Sequence, residues 1–268
     1  MIRRTRTVAL VLGLAAILGS LTGCGNVPQG AGARNDPVTE SDESPERRRA
    51  RIRLELAVGY FEEGRTPIAL DEIKQVLASD PSFAPAYNLR GLIYMRLADL
   101  RQAEDSFRRA LALDSRDGDT LHNYGWLMCQ QARHAEALQA FEQALANPTY
   151  TGRAKTFMAQ GLCLARAGRN GDAERSLARS YELDAANPVT GYNLSRLLLL
   201  RGELERAQFY IRRLNNSEFA NAESLWLGIR VEQRIGDRVA MQQLGDQLRK
   251  RYPQSRELVA YDRGAFDE

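Results

Sequence analysis

Histidine and cysteine are scarce in this 268-residue chain, with two of the first and three of the second. No Cys-x-x-Cys or His-Glu-x-x-His occurs, nor a glycine-rich phosphate loop, a triad order or paired carboxylates at a strand end. The spacings that gather a metal, a nucleotide or a nucleophile with its base are therefore missing. His122 and Cys129 lie seven apart, which on one helix separates them by about 10.5 Å along the axis. Donors of one ion must converge far more closely. His134 falls in a turn between helices. The expectation is no catalytic residue, no metal and no small-molecule substrate.

A long apolar run is missing too. The longest, "VALVLGLAAIL" from Val8 to Leu18, is too short for a stable bilayer span. Preceded by Arg3, Arg4 and Arg6, it reads as a signal peptide over residues 1–23. It ends in Leu21, Thr22, Gly23 and Cys24, which resemble the bacterial lipobox. That resemblance implies a covalent lipid on Cys24 and no other cofactor. More than one acyl chain makes such an anchor effectively permanent, at about 0.8 kcal/mol per buried CH₂. Gly25 is not the aspartate typical of retention in the inner membrane, so the resemblance places the protein on the periplasmic face of the outer membrane.

An excess of one charge is the third absence. Residues 1–23 carry three of the 37 basic groups and none of the 34 acidic ones, so their removal leaves the remainder balanced. Nothing then calls for nucleic acid as a partner. Lipidated Cys24 opens a tether over residues 24–46, which has three prolines and no aromatic. Such a composition cannot bury enough surface to fold. Its reach as a random coil is roughly 25 Å.

What the chain does have is a repeat. Ala69, Ala103, Ala137, Ala173, Ala207 and Ala240 are separated by 33 to 36 residues, and four places after each stands Ile73, Phe107, Phe141, Leu177, Ile211 or Leu244. Upstream, Ala57, Gly91, Gly125, Gly161, Ser195 and Gly228 form a second small-residue register, followed three places later by Tyr60, Tyr94, Met128, Leu164, Leu198 and Val231. Two helices approach closely only where the crossing residues are small, and a large side chain fills the hole beside them. The pattern resembles the tetratricopeptide repeat (TPR).

The expected fold is all-α, a right-handed superhelical solenoid of six TPR repeats over 47–254. The copies run approximately 50–83, 84–117, 118–151, 154–187, 188–220 and 221–254, with Gly152 and Arg153 as extra residues in one connection. Residues 255–268, with Leu258, Val259 and Phe266, read as a C-terminal capping helix over the open face of the last copy. The Asn-Asn-Ser stretch at Asn215 reads as loop.

In this fold the first helices line a groove, and offsets 5, 9 and 12 of each copy face it. The candidates are Leu54, Val58, Phe61, Asn88, Leu92, Met95, His122, Trp126, Cys129, Met158 and Leu162. A partly exposed apolar groove with a tryptophan suits a peptide or helix. The Lys and Asn pattern that grips a peptide C-terminus is missing. Cys129 and Cys163 read as small core residues. Their repeat positions differ by two, turning the side chains about 200° apart on adjacent parallel helices, which speaks against a disulfide.

The lipobox cysteine, "NYGWLMCQQARHAEALQAFEQALANPTY" in the third copy, "GLCLARAGR" in the fourth and "YPQSRE" after the sixth are together similar to the type IV pilus biogenesis/stability lipoproteins (PilW/PilF). The resemblance implies a pilotin, an outer-membrane lipoprotein that binds subunits of the pilus secretin and promotes their localisation and ring assembly. The alternative is a general periplasmic TPR scaffold serving envelope assembly or cell-wall enzymes.

Overall fold

A computed structural model describes residues 43–266. The expected signal peptide, Cys24 and most of the expected tether lie outside the described residues. All regular structure among the described residues is helical: α1 (Pro45–Glu62), α2 (Thr66–Ser79), α3 (Ala84–Arg96), α4 (Leu100–Leu113), α5 (Gly118–Gln130), α6 (His134–Ala146), α7 (Arg153–Arg166), α8 (Asn170–Leu183), α9 (Pro188–Arg201), α10 (Leu204–Asn215), α11 (Ala222–Ile235), α12 (Arg238–Arg251) and α13 (Arg256–Arg263). Six helix pairs match the six expected copies, and α13 is the cap. None of these helices is long and apolar enough to cross a membrane.

Each helix starts and stops for local reasons. Ser44 caps α1 by accepting from the Arg47 amide at 3.2 Å, and Pro45 occupies the first turn, where its missing N–H costs nothing. Helix α1 thus begins two residues inside the expected tether, correcting its boundary. Asp117, Asn187, Asn221 and Ser255 cap α5, α9, α11 and α13 in the same way. Inside the copies, the turn closes through a residue of positive φ: Gly64, Ala98, Ala132, Gly168, Gly202 and Gly236. The next amide then reaches back, as from Arg133 to the Met128 carbonyl at 2.9 Å. Copies two and three make this turn with alanine in the left-handed region, which removes the glycine that marks it in the other four.

The two small-residue registers are where helices touch. Ala57, Ala69, Ala103, Ala137, Ala173, Ser195 and Ala207 are fully buried, as are Ile73, Phe107, Phe141, Leu177 and Ile211. A Cβ on Gly125 would stand 2.8 Å from the Phe141 ring, and one on Gly161 would stand 2.6 Å from Leu177. First helices also pack on one another in sequence, α1 on α3, α3 on α5, α5 on α7, α7 on α9 and α9 on α11. Each copy therefore covers the apolar face its neighbour leaves open.

The cap does the same for the sixth copy. Helix α13 packs on α11 and α12, Leu258 is buried, and Phe266 stacks on Trp226 with centroids 5.7 Å apart. Val259, assigned to the cap's apolar face, is exposed instead. Asn215 is also not loop: it ends α10, buried, and donates through Nδ2 to the Ser224 carbonyl at 3.0 Å.

Candidate partner-binding groove

The residues assigned to the groove emerge from α1, α3, α5 and α7, the helices that line one face of the first four copies. Leu54, Val58, Phe61, Asn88, Leu92, Met95, His122, Trp126, Met158 and Leu162 are all half-buried. None is sealed in the core and none stands free. Leu54, Val58, Phe61 and Leu92 pack on the core of the first two copies, and Leu92 and Met95 continue with Trp126 onto the next. The result is an apolar strip whose side chains are held from below and open above.

Polar groups punctuate the strip. Asn123 Nδ2 donates to Asn88 Oδ1 at 3.0 Å, linking α5 to α3. Arg96 lies with its guanidinium 3.6 Å from the Phe61 ring centroid and donates to the Phe61 carbonyl. Arg166 covers Trp126 at 4.9 Å. Both arginines follow directly after offset 12 of their copies, so each shields an aromatic of the preceding first helix on one side. As cations they leave no mark in the periodicity of apolar residues.

His122 is tied into a buried polar chain. Thr156 Oγ1 lies 2.9 Å from His122 Nδ1 and 2.8 Å from the Tyr150 hydroxyl. Tyr150 is buried with its ring against Gly118, where a Cβ would come within 2.4 Å. This explains the longer connection after the third copy: two extra residues, with Gly152 as N-cap of α7, let Tyr150 turn inward. Burial, and then the charge of Lys155, push His122 from its ordinary 6.5 to about 4. At neutral pH the imidazole is uncharged, and its Nδ1 is engaged by Thr156.

A second concavity, about 820 Å³, opens between the loops that close the second and third copies. Its aspartates are used locally. Asp114 and Asp117 accept from the Arg116 and Thr120 amides at 3.1 and 3.0 Å, and Asp119 pairs with Lys155 at 2.6 Å.

The cysteines overturn two expectations. Cys129, assigned to the groove, is buried, and it forms a disulfide with Cys163, their Cα atoms 5.8 Å apart. The angle of about 200° between the two side chains does not keep them apart. Two residues that meet between neighbouring parallel helices must point towards each other, hence in opposite directions, and an offset near 180° is what that requires. His134 completes the surprise. It opens α6 with Nδ1 3.5 Å from Cys163 Sγ, so the histidine near the cysteines is His134 and not His122.

Residues 82–149 match the tetratricopeptide repeat family. A Pseudomonas aeruginosa protein described as type IV pilus assembly protein PilF is 30% identical over 263 residues, spanning 96% of this chain and 98% of its own. The solved structure of Pseudomonas aeruginosa PilF superposes with a TM-score of 0.76 at 28% identity, covering 82% of this chain and all of that one. A structure of PilW, described as a widely conserved type IV pilus biogenesis factor, superposes with a TM-score of 0.72 at 31% identity, covering 79% of this chain and 97% of its own.

Proposed function

The chain belongs to the family of the type IV pilus assembly protein PilF, and on that premise we propose that it is a type IV pilus assembly factor of the pilotin kind. It is held at the periplasmic face of the outer membrane by lipid on Cys24. Through the groove of its first four copies it binds subunits of the pilus secretin and promotes their localisation and multimerisation. It works as a scaffold and carries out no reaction of its own.

The observation that carries this reading is the set of half-buried, mostly apolar side chains from Leu54 to Leu162 at matching positions of four first helices. A strip of this kind suits an amphipathic helix or an extended apolar segment, which gains affinity by removing that surface from water. The tether supports the same reading. A groove confined near one membrane raises the effective concentration of a captured subunit beside the bilayer it must enter, without any further contact.

The test is Cys24→Ala in cells making pili. The proposal expects the protein to leave the outer-membrane fraction and heat-resistant secretin multimers to fall. Unchanged multimers together with loss of the anchor would remove the tethered-capture mechanism. Recovery of cell-wall enzymes and no secretin with the anchored chain would favour the general scaffold instead.

A further inference from the structure

Cys129, His134 and Cys163 come from three different helices and place one donor atom each within 4.8 Å of the other two. We propose that, once the disulfide is reduced, this cluster is a binding site for a zinc-class divalent ion, so that oxidation and metal occupancy exclude one another at the joint between the third and fourth copies.

One of the three donor distances already suits a tetrahedral site. Bonds of about 2.3 Å to sulfur and about 2.0–2.1 Å to nitrogen put the ligand atoms roughly 3.5–3.8 Å apart. His134 Nδ1 already stands 3.5 Å from Cys163 Sγ. Two changes are still needed: a wider separation of the two sulfurs, which breaking their bond permits, and a closer approach of Cys129 Sγ to His134, whose donor atoms lie within 4.8 Å of each other. Two thiolates and one imidazole form a soft donor set, which favours zinc over magnesium or calcium. Water takes the fourth position.

Local structure holds the ligands in place. Cys129 lies one residue before the end of α5, His134 is the first residue of α6, and the turn between them is closed by Ala132 at φ 59°. Cys163 sits in the last turn of α7, buried like Cys129. The cluster also adjoins the N-terminus of α6, whose partial positive charge favours thiolate over thiol.

The chemistry balances. A dithiol reductant delivers two electrons and two protons to the Cys129–Cys163 bond and becomes a disulfide itself. The ion then displaces both thiol protons. In the oxidised form Cys163 Sγ has no hydrogen, so His134 donates from Nδ1. In the metal form Nδ1 supplies its lone pair and the proton resides on Nε2.

The experiment uses the purified full chain carrying Cys24→Ala, so that only two thiols remain, with Co²⁺ as the probe. After reduction by a phosphine and confirmation of two titratable thiols, Co²⁺ should produce a thiolate-to-metal charge-transfer band and the visible bands of a tetrahedral site. One equivalent of Zn²⁺ should abolish both. The oxidised chain should show neither, and His134→Ala should weaken binding at least about tenfold, the loss expected even for an outer-shell partner. Circular dichroism of the same samples should keep its helical signal. Absence of the bands in the reduced chain, equal affinity in His134→Ala, or loss of helix on reduction would each overturn the proposal.

Discussion

The contact between the two helices of a copy makes Gly91→Ala the most discriminating substitution in the array. A Cβ at Gly91 would lie 2.4, 2.6 and 2.7 Å from three ring carbons of Phe107, where carbon contacts settle at about 3.5–4.0 Å. Phe107 is fully buried and has nowhere to go. Overpacking of this kind costs about 1–3 kcal/mol, against a helix-propensity gain of about 1 kcal/mol. The net expectation is a loss of up to about 2 kcal/mol. The chain itself shows when a Cβ fits. Copies one and five have Ala57 and Ser195 at this position, and there the partner is the β-branched Ile73 or Ile211. Copies two, three, four and six have glycine opposite Phe or Leu. In a Phe107→Ile background, Gly91→Ala should therefore become neutral or stabilising by up to about 1 kcal/mol, a sign reversal between contacting residues. Urea unfolding followed by far-UV circular dichroism reads this as a midpoint lowered by up to about 1 M in the natural background only. The same loss in both backgrounds would refute the steric reasoning.

Other consequences follow from the same contacts. Ala98 and Ala132 take φ of 60° and 59° where four copies have glycine; a left-handed alanine costs roughly 1–2 kcal/mol. Ala98→Gly should raise stability by about 0.5–1 kcal/mol after the entropy of glycine is counted, and Gly202→Ala should lower it, both read by thermal unfolding. Glu232 is buried, with Arg212 bonded to it at 2.7 and 3.0 Å and Gln208 at 2.8 Å. Arg212→Ala strands that carboxylate and should cost about 3 kcal/mol, whereas an effect below about 1 kcal/mol would mean the pair is solvated. His122 is held neutral, its value lowered from 6.5 to about 4, so the unfolded chain takes up its proton first as pH falls. Up to about 3 kcal/mol of stability is then present above pH 6.5 and lost between pH 6.5 and 4. His122→Gln should flatten that slope, and an unchanged slope would assign it to other groups.

The array was legible because its cause is repeated. Each copy carries the same small-against-large contact, so the register is written six times over and survives local departures such as Met128 or Ser195. Single events were harder to read. The turn before His134 lacks its glycine, because Ala132 accepts the strain, and the proximity of His134 to both cysteines was hidden with it. Facing side chains between first helices point in opposite directions, so the angle between Cys129 and Cys163 reads as separation in the sequence and is contact in the structure. Tyr150 left a trace, the two-residue lengthening at Gly152 and Arg153, but which side chain fills the space depends on three-dimensional packing against Gly118. The candidate groove positions rest on offset alone, whereas Arg96 and Arg166, which cover two of their aromatics, follow from charge placement that an apolar pattern ignores.

The central claim, that the first-helix strip holds a pilus-machinery partner, is tested most directly by photo-crosslinking in living cells. A crosslinkable residue is placed at Leu92 or Trp126 in the strip, or at Gln139, which is exposed on the second helix α6. The account predicts a crosslinked secretin subunit from Leu92 and Trp126 and none from Gln139. Equal yield from Gln139, or a crosslinked partner outside the pilus machinery at the groove positions, would contradict it.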